Sequence, residues 1–83
     1  TVYEDTLAML YLQRNSYVQC YYWADKRLKV KPEDLTLMEM KAICLEKLNQ
    51  PKEAIAIYET IFIDFSNSTF AIEARKRYRV LTE

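Results

Sequence analysis

The chain contains no glycine and no histidine. Strands joined by tight hairpins rely on glycine for positive-φ turns, so its absence points to helices linked by short loops. The lack of histidine removes the commonest general base and the commonest transition-metal ligand. Neither sign of charge is in excess: 12 basic residues balance 12 acidic ones, so no whole-chain field favours nucleic acid or an anionic membrane. No apolar run approaches the length of a membrane span, and no signal-peptide pattern is present. There is no glycine-rich phosphate loop, no nucleophile paired with a histidine and no metal-ligand set. An enzyme, a cofactor and a small-molecule substrate are therefore not expected.

What is present is an apolar fraction of 51% in 83 residues, too high for a disordered chain and sufficient for one small all-α domain. Asn15 and Asn49 lie 34 residues apart (49 − 15), and Ala8 and Ala42 share the same offset. A fixed period in this range marks stacked helical repeats. The chain begins inside a periodic segment, as an excerpt of a longer protein would.

Five helices are predicted. The first spans residues 3–14, with Leu7, Ala8, Leu10 and Tyr11 on or near one face, and Asn15 ends it in the left-handed conformation. The second spans 17–29 on Tyr17, Cys20, Tyr21, Ala24 and Leu28, with Lys26, Arg27 and Lys29 in its last turn, where cations suit the helix dipole. Pro32 blocks its continuation. Asp34 caps a third helix over 35–48, which Asn49 ends as Asn15 ended the first. Pro51 opens a fourth over 51–63, with Ala54, Ile55, Tyr58, Ile61 and Phe62 as its buried stripe. A fifth covers 69–81 and buries Ile72, Ala74, Tyr78 and Leu81. Loops this short make successive helices antiparallel neighbours.

These positions resemble the tetratricopeptide repeat, whose pattern is W-x2-L-G-x2-Y, then A-x3-F, then P over 34 residues. Leu7, Ala8 and Tyr11 fit L-G-x2-Y with alanine for glycine. Cys20 and Ala24 stand at the small and aromatic positions, and Pro32 closes the unit. In the second unit Met38, Ala42 and Leu45 stand for Trp, Gly and Tyr, Ala54 and Tyr58 match A-x3-F, and Ser66 replaces the proline. Glu4, Lys41 and Ala24 depart from the aromatic, leucine and phenylalanine of the pattern, with Tyr22 and Trp23 near enough to restore volume. The resemblance implies a right-handed superhelix of antiparallel helix pairs: one repeat over 1–34, a second over 35–68, and a capping or partial-repeat helix over 69–83.

It also implies a concave groove on the first helix of each pair. The residues facing it are Val2, Asp5, Met9 and Leu12, then Thr36, Glu39, Ile43 and Glu46, then Phe70, Glu73 and Arg77. Apolar side chains mixed with acids suit an amphipathic helix or an extended peptide with some basic residues. Asp5, Met9, Glu39 and Met40 occupy the stretch with which some family members clamp a C-terminal carboxylate through basic residues, and such an acidic stretch would repel it. The leading expectation is a scaffold or adaptor module with a protein or peptide partner. The alternative is a structural segment of a larger solenoid that self-associates through its ends. A weaker one is phosphate or nucleic-acid contact through Arg75-Lys76-Arg77-Tyr78-Arg79, disfavoured because the net charge is zero. Tyr21-Tyr22-Trp23 spans more than half a turn, so one member must be exposed or at an edge. Cys20 and Cys44 read as buried reduced thiols, since a disulfide needs Cα atoms within about 7 Å. Residues 67–77 are also similar to the ends of bacterial envelope repeat proteins, which keeps both the cytoplasm and the bacterial periplasm as readings of compartment.

Overall fold

The computed structural model describes residues 2–83, the side chains at positions 2, 3 and 5 excepted. Five helices follow in order: α1 (Val2–Gln13), α2 (Tyr17–Val30), α3 (Leu35–Lys47), α4 (Pro51–Asp64) and α5 (Phe70–Thr82). No strand occurs among the described residues. Each boundary falls within a residue of its expected place.

Local chemistry explains why the helices stop where they do. Asn15 and Asn49 have φ of 59° and 61°, the left-handed region that a short polar side chain tolerates better than a branched one. The same hydrogen bond closes both turns: Ser16 N–H donates to the Tyr11 carbonyl at 2.9 Å, and Gln50 N–H to the Leu45 carbonyl at 2.8 Å. The period seen in the sequence thus recurs in the backbone, donor and acceptor alike. The Asp34 carboxylate accepts from Leu37 N–H at 3.0 Å and caps α3, while Pro51 occupies the first turn of α4.

Every helix packs on the next, and α3 additionally touches both α1 and α5. Two cores result. Ala8, Cys20, Ala24, Leu37, Met40 and Cys44 form the first, beneath Tyr11, Tyr17, Tyr21, Trp23 and Leu28. Ala42, Leu45, Ala54, Tyr58, Ile61 and Ala74 form the second, beneath Phe62, Phe70, Tyr78 and Leu81. Small residues at the crossings let the axes approach while the larger ones interlock around them. Burial of Leu37, Tyr58 and Ile61 contributes about 1.5–3 kcal/mol each before entropy is subtracted.

Two expected core positions are outside. Leu10 is 43% exposed, because α1 has a helix neighbour on one side and Leu10 lies off that face. Ile72 is 71% exposed, and the small Ala71 and Ala74 are the buried residues of α5 in its place. The departures from the repeat pattern are filled by charge. Glu4, at the aromatic position, accepts from Arg27 Nη1 at 2.8 Å, and Arg27 is buried to 7% exposure. Lys41, at the leucine position, donates to Asp25 at 2.9 Å, stands 3.8 Å from Glu53, and lies over the Tyr21 ring. Trp23 packs on the first core while Tyr22 is exposed, with the Lys26 ammonium over both rings.

Candidate functional site

Alternate helices touch only on one side of the stack: α1 reaches α3 and α3 reaches α5, whereas α2 and α4 make no such contact among the described residues. The side on which next-but-one helices meet is the tighter side of a stack. A pocket of about 380 Å³ opens there between α3 and α5. Glu39, Ile43, Glu46, Lys47, Tyr58, Glu73 and Arg77 line it. Helical spacing aims this set: Glu39, Ile43, Glu46 and Lys47 stand four, three and one residues apart, on adjoining turns of α3, and Glu73 and Arg77 are four apart on α5.

The carboxylates in the pocket are not equivalent. Glu46 accepts from Arg77 through both guanidinium Nη2 and Nε, the latter at 3.3 Å, and also from the Tyr58 hydroxyl. Burial pushes the Glu46 carboxyl up, but these donors outweigh it and hold the group below the ordinary glutamate range. Burial first, then the hydrogen bond to Glu46, push the Tyr58 phenol well above its usual value, so it stays a donor. Glu39 behaves in the opposite sense. Burial and then the facing Glu73 carboxylate push it up, and neither acid has an ion pair among the described residues. The pocket therefore combines one neutralised carboxylate with two that repel each other, beside the half-buried Ile43.

The residues expected to face a groove are distributed as follows. Glu39, Ile43, Glu46, Glu73 and Arg77 come together in the pocket. Met9 and Thr36 are exposed outside it. Leu12 is packed against the first core and Phe70 against the second. Val2 and Asp5 lie outside the described side chains. Two lining residues were not anticipated there. Lys47 follows Ile43 by one turn, a spacing that could have found it. Tyr58 reads as core from the A-x3-F pattern, and its need for a hydroxyl partner when buried is the signal that it reaches a polar site.

The basic run on α5 does not form one surface. Arg77 turns inward to Glu46, Arg75 lies over the Phe62 ring at 5.8 Å, and Lys76 and Arg79 are exposed. No helix is long and apolar enough to cross a membrane, and no group of metal-ligating side chains is found among the described residues.

A family model described as anaphase-promoting complex, cyclosome, subunit 3 matches residues 4–61, well over half of the chain. No curated protein and no solved structure matches the chain significantly. The matched stretch runs from the glutamate that meets Arg27 to the isoleucine buried in α4, and so includes both asparagine turns. The chain belongs to the anaphase-promoting complex, cyclosome, subunit 3 family, a family built of tetratricopeptide repeats whose members act as non-catalytic scaffolds.

Proposed function

We propose that this chain is a protein-interaction module whose α1–α3–α5 side takes a partner helix or extended peptide carrying a lysine or arginine. In this reading residues 1–34 and 35–68 are two repeats and 69–83 closes the stack. One observation carries it: Glu39 and Glu73 face each other in the pocket, neither in an ion pair among the described residues, beside the apolar Ile43. Repulsion between the partly buried Glu39 and the exposed Glu73 carboxylate facing it is a local cost that an incoming cation removes, so binding is favoured most where the fold is least satisfied. Glu46 in the same pocket shows what such compensation does, because Arg77 supplies it from within the chain. Met9, on α1, extends the surface with an exposed apolar side chain.

The test is selection of helical peptides from a displayed library against the whole chain. Recovered binders are expected to carry a basic residue, to lose tenfold or more in affinity against Glu39→Gln/Glu73→Gln, and to fail against Met9→Glu/Ile43→Glu. Both variants should keep the parent helicity by circular dichroism. Binders without a basic residue, or with unchanged affinity for both variants, would remove the proposal.

A further inference from the structure

Val18, Tyr22 and Val30 are 63%, 55% and 65% exposed on α2, and with Lys26 they recur at every fourth residue. Side chains at that spacing make one continuous ridge along a helix. None of the four lines the pocket between α3 and α5. The repeat supplies an internal control. Thirty-four residues on, the same ridge of α4 is Lys52, Ala56, Thr60 and Asp64, polar but for one alanine, and Thr60 Oγ1 donates to the Ala56 carbonyl at 3.1 Å. The helix pair therefore does not need apolar side chains at these places. Single exposed hydrophobics are ordinary on a protein surface, but three on one ridge whose copy is polar mark a contact surface.

The ridge is also ordered and positively charged. The Tyr22 and Trp23 rings meet edge-on with centroids 5.3 Å apart, and Lys26 Nζ sits 5.8 Å from the first and 5.0 Å from the second. Trp23 packs on the first core, which fixes the group from beneath. Lys26 is in no ion pair among the described residues. Lys29, beside it, lies 3.8 Å from Asp25, an acid whose closer partner is Lys41 at 2.9 Å. Two exposed cations thus accompany the apolar side chains, and the ridge itself carries no carboxylate.

We propose that this ridge is a second docking surface, which takes an acidic amphipathic helix of another protein laid across α2. The partner's apolar side chains cover Val18, Tyr22 and Val30, and its carboxylates meet Lys26 and Lys29. Lys26 is already held over the aromatic pair, so little side-chain freedom is lost when a carboxylate reaches it. The sign of charge is opposite to that of the pocket, so one molecule can hold a basic and an acidic partner together. The groove reading is not needed for this ridge to bind. An anionic membrane is the poorer match, because the chain has no net charge and two lysines fall short of a polybasic patch.

The test selects helical peptides from a displayed library against the full chain carrying Met9→Glu/Ile43→Glu, which removes binders of the groove. The recovered binders are expected to be rich in Asp and Glu. They should lose roughly tenfold or more in affinity against Val18→Ser/Val30→Ser and against Lys26→Glu, and bind unchanged to Lys52→Ser/Asp64→Ser on α4. These variants alter exposed side chains and leave Tyr22 on Trp23, so each should keep the parent helicity by circular dichroism. Binders without acidic residues, affinities that ignore the α2 variants, or equal losses on α4 would overturn the proposal. So would two other results through the same residues: self-association in sedimentation that Val18→Ser/Val30→Ser abolishes, which makes a second copy the occupant, and binding to phosphatidylserine vesicles that Lys26→Glu abolishes.

Discussion

Arg27 holds a full charge at 7% exposure, and its Nη1 donates to Glu4 at a position where the repeat pattern places a large aromatic. A guanidinium on an aliphatic stem fills part of that volume and brings a donor that must be met. Truncation therefore loses packing and this ion pair together. Arg27→Ala is expected to destabilise the fold by about 2–4 kcal/mol, against less than about 0.5 kcal/mol for the exposed Arg14→Ala, as read from urea midpoints of the two variants. The sequence placed Arg27 among three cations at the end of α2 and gave them one common role at the helix dipole. Only Arg27 is buried, because at that turn α2 faces Glu4 of α1, while Lys26 reaches back over its own helix to Tyr22 and Trp23. Nothing in the order of residues distinguishes three neighbouring cations whose partners stand on other helices or on other turns.

Element boundaries are local matters, and here the residues themselves sufficed. A polar side chain that accepts positive φ, a carboxylate before a helix and a proline in a first turn each act within a few residues. Asn49 offers a clean measurement. Glycine accepts φ of 61° at no steric cost, whereas alanine does not. Asn49→Ala is expected to lower stability by about 1 kcal/mol, and Asn49→Gly to stay within about 0.5 kcal/mol of the parent in the same denaturation series. Equal losses in both would show that the side chain, and not the backbone angle, sustains the turn. Which face each helix buries was only partly legible. Ala8, Ala42 and Ala54 are fully buried as the pattern demands, yet Leu10 and Ile72 are hydrophobic and lie outside. Periodicity finds an apolar stripe, but α1 and α5, at the two ends of the stack, each pack mainly on a single helix.

At the scale of the whole molecule, α5 is tied to α3 by the Arg77–Glu46 pair and to α4 by Ala74 and the edge-on contact of Phe62 with Tyr78. Two of the pocket's three acids, Glu46 and Glu39, give this end opposite responses to pH. Glu46 is held below its ordinary value, so its contribution is complete above the unfolded value of about 4.3 and is lost as pH falls through the lower folded value. Glu39 is raised, so the folded chain takes up its proton more readily, and stability increases as pH falls from neutral through that value. Arg77→Met removes the guanidinium that holds Glu46 down. The acid loss of stability should then shrink, as urea midpoints across a pH series would reveal, whereas an unchanged acid limb would separate Glu46 from α5. The sequence by itself determined five helices, their ends and their period, because caps, breakers and apolar spacing act over one or two turns. It also supplied most of the pocket's residues through the faces that a repeat imposes. Only the tertiary structure decided that Glu46 is neutralised while Glu39 and Glu73 are left facing each other, and that Cys20 and Cys44 share one core. Those facts depend on distances between side chains on different helices, which packing sets and sequence spacing does not contain.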